Sequence, residues 1–366
     1  MNILQISSGY GASEVYTNLF GALKKQGVAN VVYVPNHTGS PIDGQIIYVS
    51  RKFGKISKFL YWGEQRYLVS DIIEHVGLDN IDCVHAHRVM YGGYIGLELK
   101  KKYGIPYIVA VRNSDLYGFG RNIKRFRRHT LEILLNASKI IFISNVYKKL
   151  VFNYFKSCEY TAELEKKSIV IPNGIDEYFL QNSLKRDEHP LPKDKEIVLT
   201  CVANIEKNKN QTTLVKVCDI LNTKGYKVKL NLAGKINNKT IYKDVSSKPY
   251  VNYMGLIGKE QVLECLRQTD VFIMPSIHET FGMVYAEALS QGVPVIYTRG
   301  QGFDGQFQEG EVGYSINCYD EYEIVEHIEQ ILSNYRAVSN RCVTCSANYS
   351  WDVIASEYKK IYEKIQ

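Results

Sequence analysis

The segment VFIMPSIHETFGMVYAEALSQ, residues 271–291, joins a short apolar run to a mostly polar turn and then to a second apolar stretch. Three of its first four residues are of the β-branched or aromatic types that favour strands. The turn spans about 275–280, and the residues from 281 onward suit a helix. A strand that runs through a turn into a helix is the repeating unit of a parallel α/β sheet.

The same pattern recurs along both halves of the chain. Short runs rich in Ile and Val predict strands at 2–7, 30–34, 81–84, 107–111 and 139–143, and again at 196–202, 228–233, 271–274 and 293–297. Between the two series lies a polar stretch, 181–195, which contains Pro190 and Pro192 and suits an interdomain linker. The sequence therefore predicts two tandem Rossmann-like, doubly wound domains, the first at 1–180 and the second at 196–349.

The final segment, 350–366, has the pattern of an amphipathic helix. Its apolar residues fall near spacings of three and four, at Trp351, Ile354, Tyr358, Ile361 and Ile365. In doubly wound sheets, ligands bind beyond the carboxyl ends of the strands. Two such sheets facing one another are expected to form a cleft between them.

The composition excludes several classes of protein. Of 366 residues, 45% are hydrophobic and 23% are charged, which rules out a disordered chain, a collagen-like repeat and a small disulfide-stapled protein. The net charge of +7 is unevenly distributed, because residues 1–172 carry a net +10 and residues 173–366 a net −3. This asymmetry suggests two domains that face different partners.

Eight scattered cysteines are expected to behave as small buried apolar residues. The close pair Cys342 and Cys345 lacks a second pair at zinc-site spacing, so no metal site is expected. The first residues have no basic leader, and no apolar run approaches the length of a membrane span. We expect a cytoplasmic protein.

The first turn reads SSGYGASE, residues 7–14. Its glycines would let backbone N–H groups approach an anion at a helix N-terminus. The turn lacks the third glycine of the dinucleotide-binding fingerprint, because Glu14 stands there. A tight strand-to-helix turn with no ligand is the alternative interpretation.

The turn at 275–291 carries a stronger signal, because Glu279 and Glu287 lie eight residues apart around the start of a helix. The helix N-terminus favours an anionic ligand, and a carboxylate accepts two or more hydrogen bonds from hydroxyls. A phosphate together with hydroxyl groups describes a sugar nucleotide. The alternative is an ordinary acidic first helical turn.

The run HETFGMVYAE, residues 278–287, resembles the E-x7-E signature of the family 4 retaining glycosyltransferases, which have the GT-B fold. Other segments occur in that family's order. They are IPNGID at 171–176, VANIEKNKNQTTLV at 202–215, VNYMGLIGKEQV at 251–262 and the Trp351 helix. The resemblance implies that this last helix crosses back to the first domain, so that 350–366 joins residues 1–180.

The resemblance also implies roles for individual residues. Glu279 would hold hydroxyls of the transferred sugar, Lys209 would neutralise the diphosphate, and Arg112 would complete the catalytic set. Donor-binding residues would be Gly11, Asn204, Leu256, Thr280, Phe281, Gly282, Met283, Val284 and Glu287. Among these, Glu287 would bind the ribose and Leu256 would lie against the base.

Two positions depart from the family pattern. Asn204 stands where the family has a diphosphate-binding Arg, so Lys207 or Arg299 would have to supply that charge. Arg112 stands where many members have His, and an Arg cannot act as a general base at neutral pH. His85, His87 and Asp115 are candidates for the acceptor side, and a structural role for the two histidines is the alternative.

The family resemblance implies retention at the anomeric carbon and a reaction with no metal and no cofactor besides the nucleotide-sugar donor. The expected reaction moves a hexose or N-acetylhexosamine, expected as a UDP sugar, to a hydroxyl of a glycan or lipid-linked glycan precursor of a bacterial surface polysaccharide. The alternatives are a small soluble acceptor and a non-catalytic sugar-nucleotide-binding subunit.

In two segments, 51–62 and 121–128, basic residues alternate with aromatic ones. This composition suits contact with the anionic inner face of the cell membrane. Solvated helix faces are the alternative. The sequence contains no recognised nucleic-acid-binding module, so a nucleic-acid partner is not expected.

Overall fold

The computed structural model describes residues 1–11, 13–35, 46–49, 61–112, 115, 126–155, 159–184, 192 and 195–365. Its strands are β1 Asn2–Ile6, β2 Ala29–Val34, β3 Ile46–Val49, β4 Cys83–Ala86, β5 Tyr107–Val111, β6 Lys139–Phe142, β7 Ser168–Val170, β8 Glu196–Val202, β9 Lys227–Ala233, β10 Val251–Gly255, β11 Val271–Met274, β12 Val295–Thr298 and β13 Gly313–Ile316.

Helices separate most of these strands. They are α1 Glu14–Lys25, α2 Tyr61–His75, α3 Tyr94–Tyr103, α4 Arg127–Asn136, α5 Asn145–Phe155, α6 Thr161–Lys167, α7 Glu177–Gln181, α8 Gln211–Thr223, α9 Lys239–Ser246, α10 Lys259–Arg267, α11 Met283–Ser290, α12 Glu321–Ser333, α13 Tyr335–Ser346 and α14 Trp351–Glu363. Shorter turns are a π turn at Val89–Gly93 and 3-10 turns at Lys207–Lys209 and Ala347–Tyr349.

Two parallel sheets result. Within the described residues, the first has the strand order β3-β2-β1-β4-β5-β6-β7 and the second the order β10-β9-β8-β11-β12-β13. All of the registered strand pairs are parallel. The chain reverses its direction of travel across the sheet between β1 and β4 and again between β8 and β11. These are the switch points at which open α/β sheets bind ligands. The predicted pair of doubly wound domains is confirmed.

Each sheet belongs to its own folded unit. The first unit, called unit 1 below, comprises Met1–Ile143, Tyr147–Gly174 and Trp351–Gln366, and unit 2 comprises Ser144–Val146 and Ile175–Ser350. The terminal helix α14 therefore completes unit 1, as the resemblance implied. Its Trp351, Ile354, Tyr358 and Tyr362 pack into the unit 1 core together with side chains of α1.

The boundary between the units differs from the predicted one. Residues 175–184 belong to unit 2, whereas the sequence placed 175–180 in the first domain and 181–184 in the linker. The reason is packing: Leu184 N donates to Ser290 O of α11 at 3.2 Å, and Arg267 donates to Asn182 O at 2.9 Å. Of the remaining predicted linker, only 192 and 195 are among the described residues.

Candidate functional site

The candidate site of unit 2 lies where the strand order reverses. Because β8 and β11 are neighbours in register, Leu199 opposite Val271, the segments that follow them meet at one edge of the sheet. The first segment contains the 3-10 turn Lys207–Lys209, and the second is the loop at 275–282 that leads into α11. The predicted donor-binding residues in these segments are thereby brought together.

Lys209 and Glu279 form an ion pair at the centre of this site. The Nζ of Lys209 lies 2.6 Å from Oε2 of Glu279, and the two side chains are 19% and 13% exposed. The other carboxylate oxygen, Oε1, accepts a hydrogen bond from the backbone N–H of Thr280 at 2.9 Å. Both oxygens are thus held in place, and the pair remains partly exposed to solvent.

The backbone of Glu279 is held by the loop that follows β12. Glu279 N donates to Gln301 Oε1 at 2.9 Å, and Gly302 N donates to Glu279 O at 3.0 Å. A Cβ at position 302 would lie 1.8 Å from Thr280 O, so only glycine permits this approach. The carboxylate at position 279 therefore projects from a backbone that is fixed on both sides.

The N-terminus of α11 opens at the same place. Its N-cap, Gly282, has φ +76°, and a Cβ there would lie 2.5 Å from the Tyr285 ring. Phe281 is buried, whereas Met283 is 38% exposed. In the described part of the chain, the N–H groups of Gly282, Met283 and Val284 have no acceptor. Such free N–H groups at a helix start attract an anion.

Glu287 lies in the second turn of α11. Burial and the neighbouring carboxylate of Asp176 raise the pKa of Glu287 to about 7. Asp176 itself accepts a hydrogen bond from Tyr178 N at 2.9 Å and pairs with Lys259 Nζ at 3.0 Å. Glu287 is therefore close to half protonated at neutral pH, unlike an ordinary surface glutamate.

Asn204 carries no charge, and the two candidate cations named from the sequence, Lys207 and Arg299, differ in their contacts. Asn204 is exposed, and its Oδ1 accepts a hydrogen bond from Lys235 N at 3.2 Å. The Arg299 side chain already has partners, because it pairs with Glu323 at 2.5 Å and donates to Ser315 O at 3.1 Å. Lys207 is exposed and forms no ion pair within the described ranges. Of these two candidates, Lys207 and not Arg299 is free of an ion pair within the described residues.

Leu256 follows β10 and is 79% exposed. The adjacent Gly255 has φ +73°, and its carbonyl accepts a hydrogen bond from Gly234 N at 2.7 Å. This arrangement holds the turn after β10 against the turn after β9, at the same edge of the sheet as the Lys209–Glu279 pair. An apolar side chain presented to solvent at a strand end is suited to contact a flat ring.

In unit 1, the turn after β1 contains two glycines. Gly11 has φ +79°, and a Cβ at Gly9 would lie 2.5 Å from the Tyr16 ring. Ser7 is buried, and its Oγ has no hydrogen-bond partner among the residues that the structure describes. Gly11 thus occupies a conformation that favours glycine, as a close turn requires.

Arg112 follows β5 and joins a buried polar cluster. Its Nη1 donates to Asn173 Oδ1 at 3.1 Å, and its guanidinium also interacts with Tyr358 of α14. His85 and His87 are fully buried nearby, with their rings stacked 3.9 Å apart. Burial, together with the positive charge of Arg112, holds the pKa of each histidine well below its usual value.

The partners of the histidines lie in the unit 1 core. His85 Nδ1 hydrogen-bonds the Tyr362 hydroxyl at 2.7 Å, and His87 Nε2 hydrogen-bonds Gln5 Oε1 at 2.8 Å. Neither side chain reaches solvent. The structural role that the sequence left open as an alternative accounts for this placement.

Asp115 is also buried. Its carboxylate accepts hydrogen bonds from the backbone N–H groups of Arg112 at 2.9 Å, Val89 at 3.3 Å and Met90 at 3.5 Å. Burial raises the pKa of Asp115 to about 6, while these bonds act in the opposite direction. The side chain ties the end of β5 to the π turn Val89–Gly93, which is a scaffolding arrangement and does not expose the carboxylate to an acceptor.

The two basic segments largely lie outside the described residues, which omit 51–60 and 121–125. Arg127 and Arg128 are exposed, and the Arg127 guanidinium lies 5.9 Å from the Phe155 ring centroid. Across the described ranges, no helix has the length and apolar character needed to cross a bilayer. Nor do those ranges contain a group of three or more His, Cys, Asp or Glu side chains placed to hold a metal ion.

Sequence reasoning missed the residues that hold the site together. Asn208 pairs with the backbone of His278, Gln301 accepts a hydrogen bond from Glu279 N, and Gly302 permits the approach of the loop that carries Gln301. No local spacing indicates these contacts, because Asn208 and Gln301 are 70 and 22 residues away from their partners. The run EKNKN at 206–210 contains Asn208 but does not identify its partner. 

Two family models match the chain. The model described as "Glycosyltransferase Family 4" matches residues 10–178, and the model described as "Glycosyl transferases group 1" matches residues 182–348. Together they cover nearly all of units 1 and 2. The matched ranges contain the Gly11 turn in the first case and the Lys209–Glu279 pair in the second.

Individual relatives agree with the family models. An uncharacterized glycosyltransferase of Methanocaldococcus jannaschii is 25% identical, with 81% of this chain and 78% of that protein covered. The alpha-monoglucosyldiacylglycerol synthase of Acholeplasma laidlawii is 25% identical, with 77% and 75% covered. Among solved structures, a sucrose-phosphate synthase from Thermosynechococcus elongatus aligns with a TM-score of 0.72 at 18% identity, over 100% of this chain and 98% of that one.

Proposed function

We infer that this chain, which belongs to glycosyltransferase family 4 and has the GT-B fold, transfers a sugar from a nucleotide sugar with retention of anomeric configuration. The observation that carries this proposal is the Lys209–Glu279 ion pair beside the open N-terminus of α11. It places a cation, a carboxylate and free N–H groups at one switch point of a doubly wound sheet.

The distances within the pair fit a sugar diphosphate. A hydroxyl held by Glu279 and a phosphate oxygen held by Lys209 would be neighbours, because the two side chains are 2.6 Å apart. In a sugar nucleotide the sugar ring is bonded directly to the phosphate, so hydroxyls and anionic oxygens lie at such separations. We assign Glu279 to the sugar hydroxyls, and Lys209 with the N–H groups at 281–283 to the diphosphate.

The remaining donor contacts follow from position along the edge of the sheet. Glu287, in the second turn of α11, is assigned to the ribose hydroxyls, while exposed Leu256 is assigned to one face of the base. Lys207 supplies the second cation for the diphosphate in place of the family Arg, and Asn204 contributes at most a neutral hydrogen bond. We propose a UDP sugar carrying a hexose or N-acetylhexosamine.

The proposed chemistry needs little from the protein besides position and charge. Lys209 and the α11 N-terminus stabilise the charge that develops on the leaving diphosphate. A phosphate oxygen of the donor takes the proton of the acceptor hydroxyl on the face from which the diphosphate departs. Arg112 cannot accept that proton and instead is assigned to a phosphate or sugar oxygen. No metal ion is included in the proposal, so EDTA should leave the rate unchanged.

For the acceptor, we propose a hydroxyl of a glycan or lipid-linked glycan precursor for a bacterial surface polysaccharide. Support comes from the name of the Acholeplasma laidlawii relative, which specifies a glycolipid product. The basic segments 51–62 and 121–128 would contact an anionic membrane. Co-sedimentation with vesicles containing anionic lipid tests this contact. If reversing the charges of Arg127 and Arg128 left vesicle binding unchanged, the proposed membrane contact would be wrong.

The proposed function is tested with a panel of UDP-glucose, UDP-galactose, UDP-N-acetylglucosamine and GDP-mannose. Release of the nucleoside diphosphate is followed with and without a lipid-linked acceptor, and the product's anomeric configuration is read by NMR. Acceptor-dependent release with a retained configuration is the expected result. No release with any donor and acceptor would overturn the transferase proposal, and an inverted product would overturn its mechanism.

A further inference from the structure

The turn that carries Lys209 is attached to the rest of unit 2 by three successive side chains. Asn208 bonds to the loop after β11, Lys209 pairs with Glu279 in that loop, and Asn210 Nδ2 donates to Cys318 O after β13 at 2.6 Å. Asn210 has a left-handed backbone, with φ +54°, and begins α8. The turn therefore has a fixed placement against two loops that are far from it in sequence.

Asn208 makes a set of contacts that its neighbours do not. Its Nδ2 donates to His278 O at 2.9 Å, and its Oδ1 accepts from His278 N at 3.0 Å. Its own backbone carbonyl accepts from Ile277 N at 2.8 Å. The side-chain amide thus pairs with both backbone groups of one residue, as the backbone of an adjacent strand would. We call this contact the Asn208–His278 amide pair.

The location of this amide pair is informative. Asn208 immediately precedes Lys209, and His278 immediately precedes Glu279. The ion pair joins the charged ends of two flexible side chains, whereas the amide pair joins the side chain next to Lys209 to the backbone next to Glu279. A lysine ammonium on its four-carbon stem loses much rotamer freedom when it is fixed. A contact that fixes the adjacent backbone restricts where the ammonium can lie relative to the carboxylate.

We propose that Asn208 is a positioning residue that holds Lys209 and Glu279 in register for the sugar diphosphate. The inference rests on the proposed function of this site. Asn208 acts through the two charged residues and does not need to touch the donor. The Asn208 amide supplies both a hydrogen-bond donor and an acceptor at the end of one side chain. A side chain of similar size cannot replace it, because Asp lacks the donor and Leu lacks both groups.

The main test compares Asn208→Leu with a matched control, Asn222→Leu. Asn222 lies at the far end of α8, where its Oδ1 accepts one hydrogen bond from Val228 N at 3.1 Å. With the best donor of the panel, Asn208→Leu should lower kcat by about 10–100-fold, since small misplacements of reacting groups have effects of this size. KM should change by less than about threefold, and the control should keep both parameters.

A double-mutant comparison separates positioning from general stability. In a Lys209→Met background there is no ammonium to position, so adding Asn208→Leu should lower the remaining kcat by less than about threefold. An equal loss in both backgrounds, or a kcat within twofold of the wild type for Asn208→Leu alone, would overturn the inference. Asn208→Asp keeps the acceptor for His278 N and should give an intermediate loss. It serves as the second variant if the leucine variant does not fold.

A crystal structure of the Asn208→Asp variant gives a result that does not depend on activity. The expected outcome is that Lys209 Nζ and Glu279 Oε2 no longer lie at one fixed separation near 2.6 Å. An unchanged ion pair in that variant would overturn the inference even if the chain proved to have no transferase activity. A wild-type chain that releases no diphosphate, with a displaced ion pair in the variant, would instead count against the proposed function alone.

Discussion

The switch points of the two sheets hold polar clusters of opposite character. In unit 1, Gln5, His85 and His87 lie near the ends of β1 and β4, covered by α14, fully buried and paired with one another or with Tyr362. In unit 2, Lys209 and Glu279 lie after β8 and β11, charged and partly open. The strand order around the switch point is the same in both sheets, so the difference between the buried cluster and the open one lies in the helix that covers the first.

The largest expected effect is on sugar transfer by the open cluster of unit 2, Lys209 and Glu279. Glu279→Ala removes the carboxylate that positions the sugar hydroxyls, and transfer should fall by at least about 10²-fold, because misplacement of the reacting group has effects of this size. UDP binding, measured by calorimetry, should remain within about threefold. Glu264→Ala, at an exposed helix position where the carboxylate accepts a hydrogen bond from Gln268, is the control. Retained transfer by the alanine variant would refute the role of Glu279.

The covered cluster should respond in stability. Tyr362→Phe deletes a buried hydroxyl that pairs with His85 at 2.7 Å and leaves the His85 nitrogen unsatisfied. Removal of one partner of a buried hydrogen bond costs about 1–3 kcal/mol. Both tryptophans lie in the unit 1 ranges, so urea unfolding followed by tryptophan fluorescence reports on this unit. Tyr322→Phe, with the ring 74% exposed, is the control; an equal loss in both variants would contradict the prediction.

Acid should also destabilise unit 1 through its covered cluster, which contains His85 and His87. The pKa values of His85 and His87 are lowered in the folded state, so below about pH 6.5 the unfolded chain binds more protons and stability falls as pH decreases. Between pH 7.5 and 6 the two groups together should remove about 1.5 kcal/mol. Asp115, whose pKa is raised to about 6, takes up a proton in the folded state and opposes part of this loss.

The measurement is tryptophan-detected urea unfolding of the wild type and of His87→Gln across this pH range. The glutamine variant should show roughly half of the histidine-dependent loss, while the Asp115 contribution is common to both proteins and cancels in the difference. Identical pH profiles for the two proteins would mean that the buried histidines do not govern the acid sensitivity of unit 1.

The smallest effect concerns Glu287 at the open cluster. Its pKa of about 7 means that the carboxylate form, which accepts ribose hydroxyls, becomes the main form only above neutral pH. Affinity for UDP-glucose, whose diphosphate does not titrate near neutrality, should therefore rise by about tenfold from pH 6 to pH 8. Glu287→Gln should give a flat profile by calorimetry. If the wild-type affinity for UDP-glucose did not change with pH, the assignment of Glu287 to the ribose would be wrong.

The sequence predicted the interior of each sheet and missed its borders. The strands β3, β7, β10 and β13 were not predicted, and each is an edge strand. The interior strand β11 is the fully buried run VFIM, whereas β10 is VNYMG with no residue buried. An edge strand is covered on fewer sides, so its sequence need not be continuously apolar and the pattern is weak.

The candidate site shows the same division. The charged residues Lys209, Glu279 and Glu287 stand in motifs that can be read locally. The polar partners Asn208 and Gln301 cannot be identified from the local sequence, because their function depends on which distant backbone groups they contact. In unit 1 the motif around His85 and His87 gave no indication that a helix more than 260 residues later covers it.

That helix has a consequence for how the chain is made. Trp351 lies against Gly174, where a Cβ would come within 2.6 Å of the indole, and α14 fills the face of the first sheet beside α1. On the ribosome, every strand of unit 1 emerges before unit 2, yet α14 emerges after it. Unit 2 is almost continuous in sequence and is able to fold as it appears. Unit 1 must wait through the synthesis of the 176 residues of Ile175–Ser350 with part of its apolar surface uncovered. Nascent chains stalled before position 351 are therefore the form of this protein that chaperones should bind.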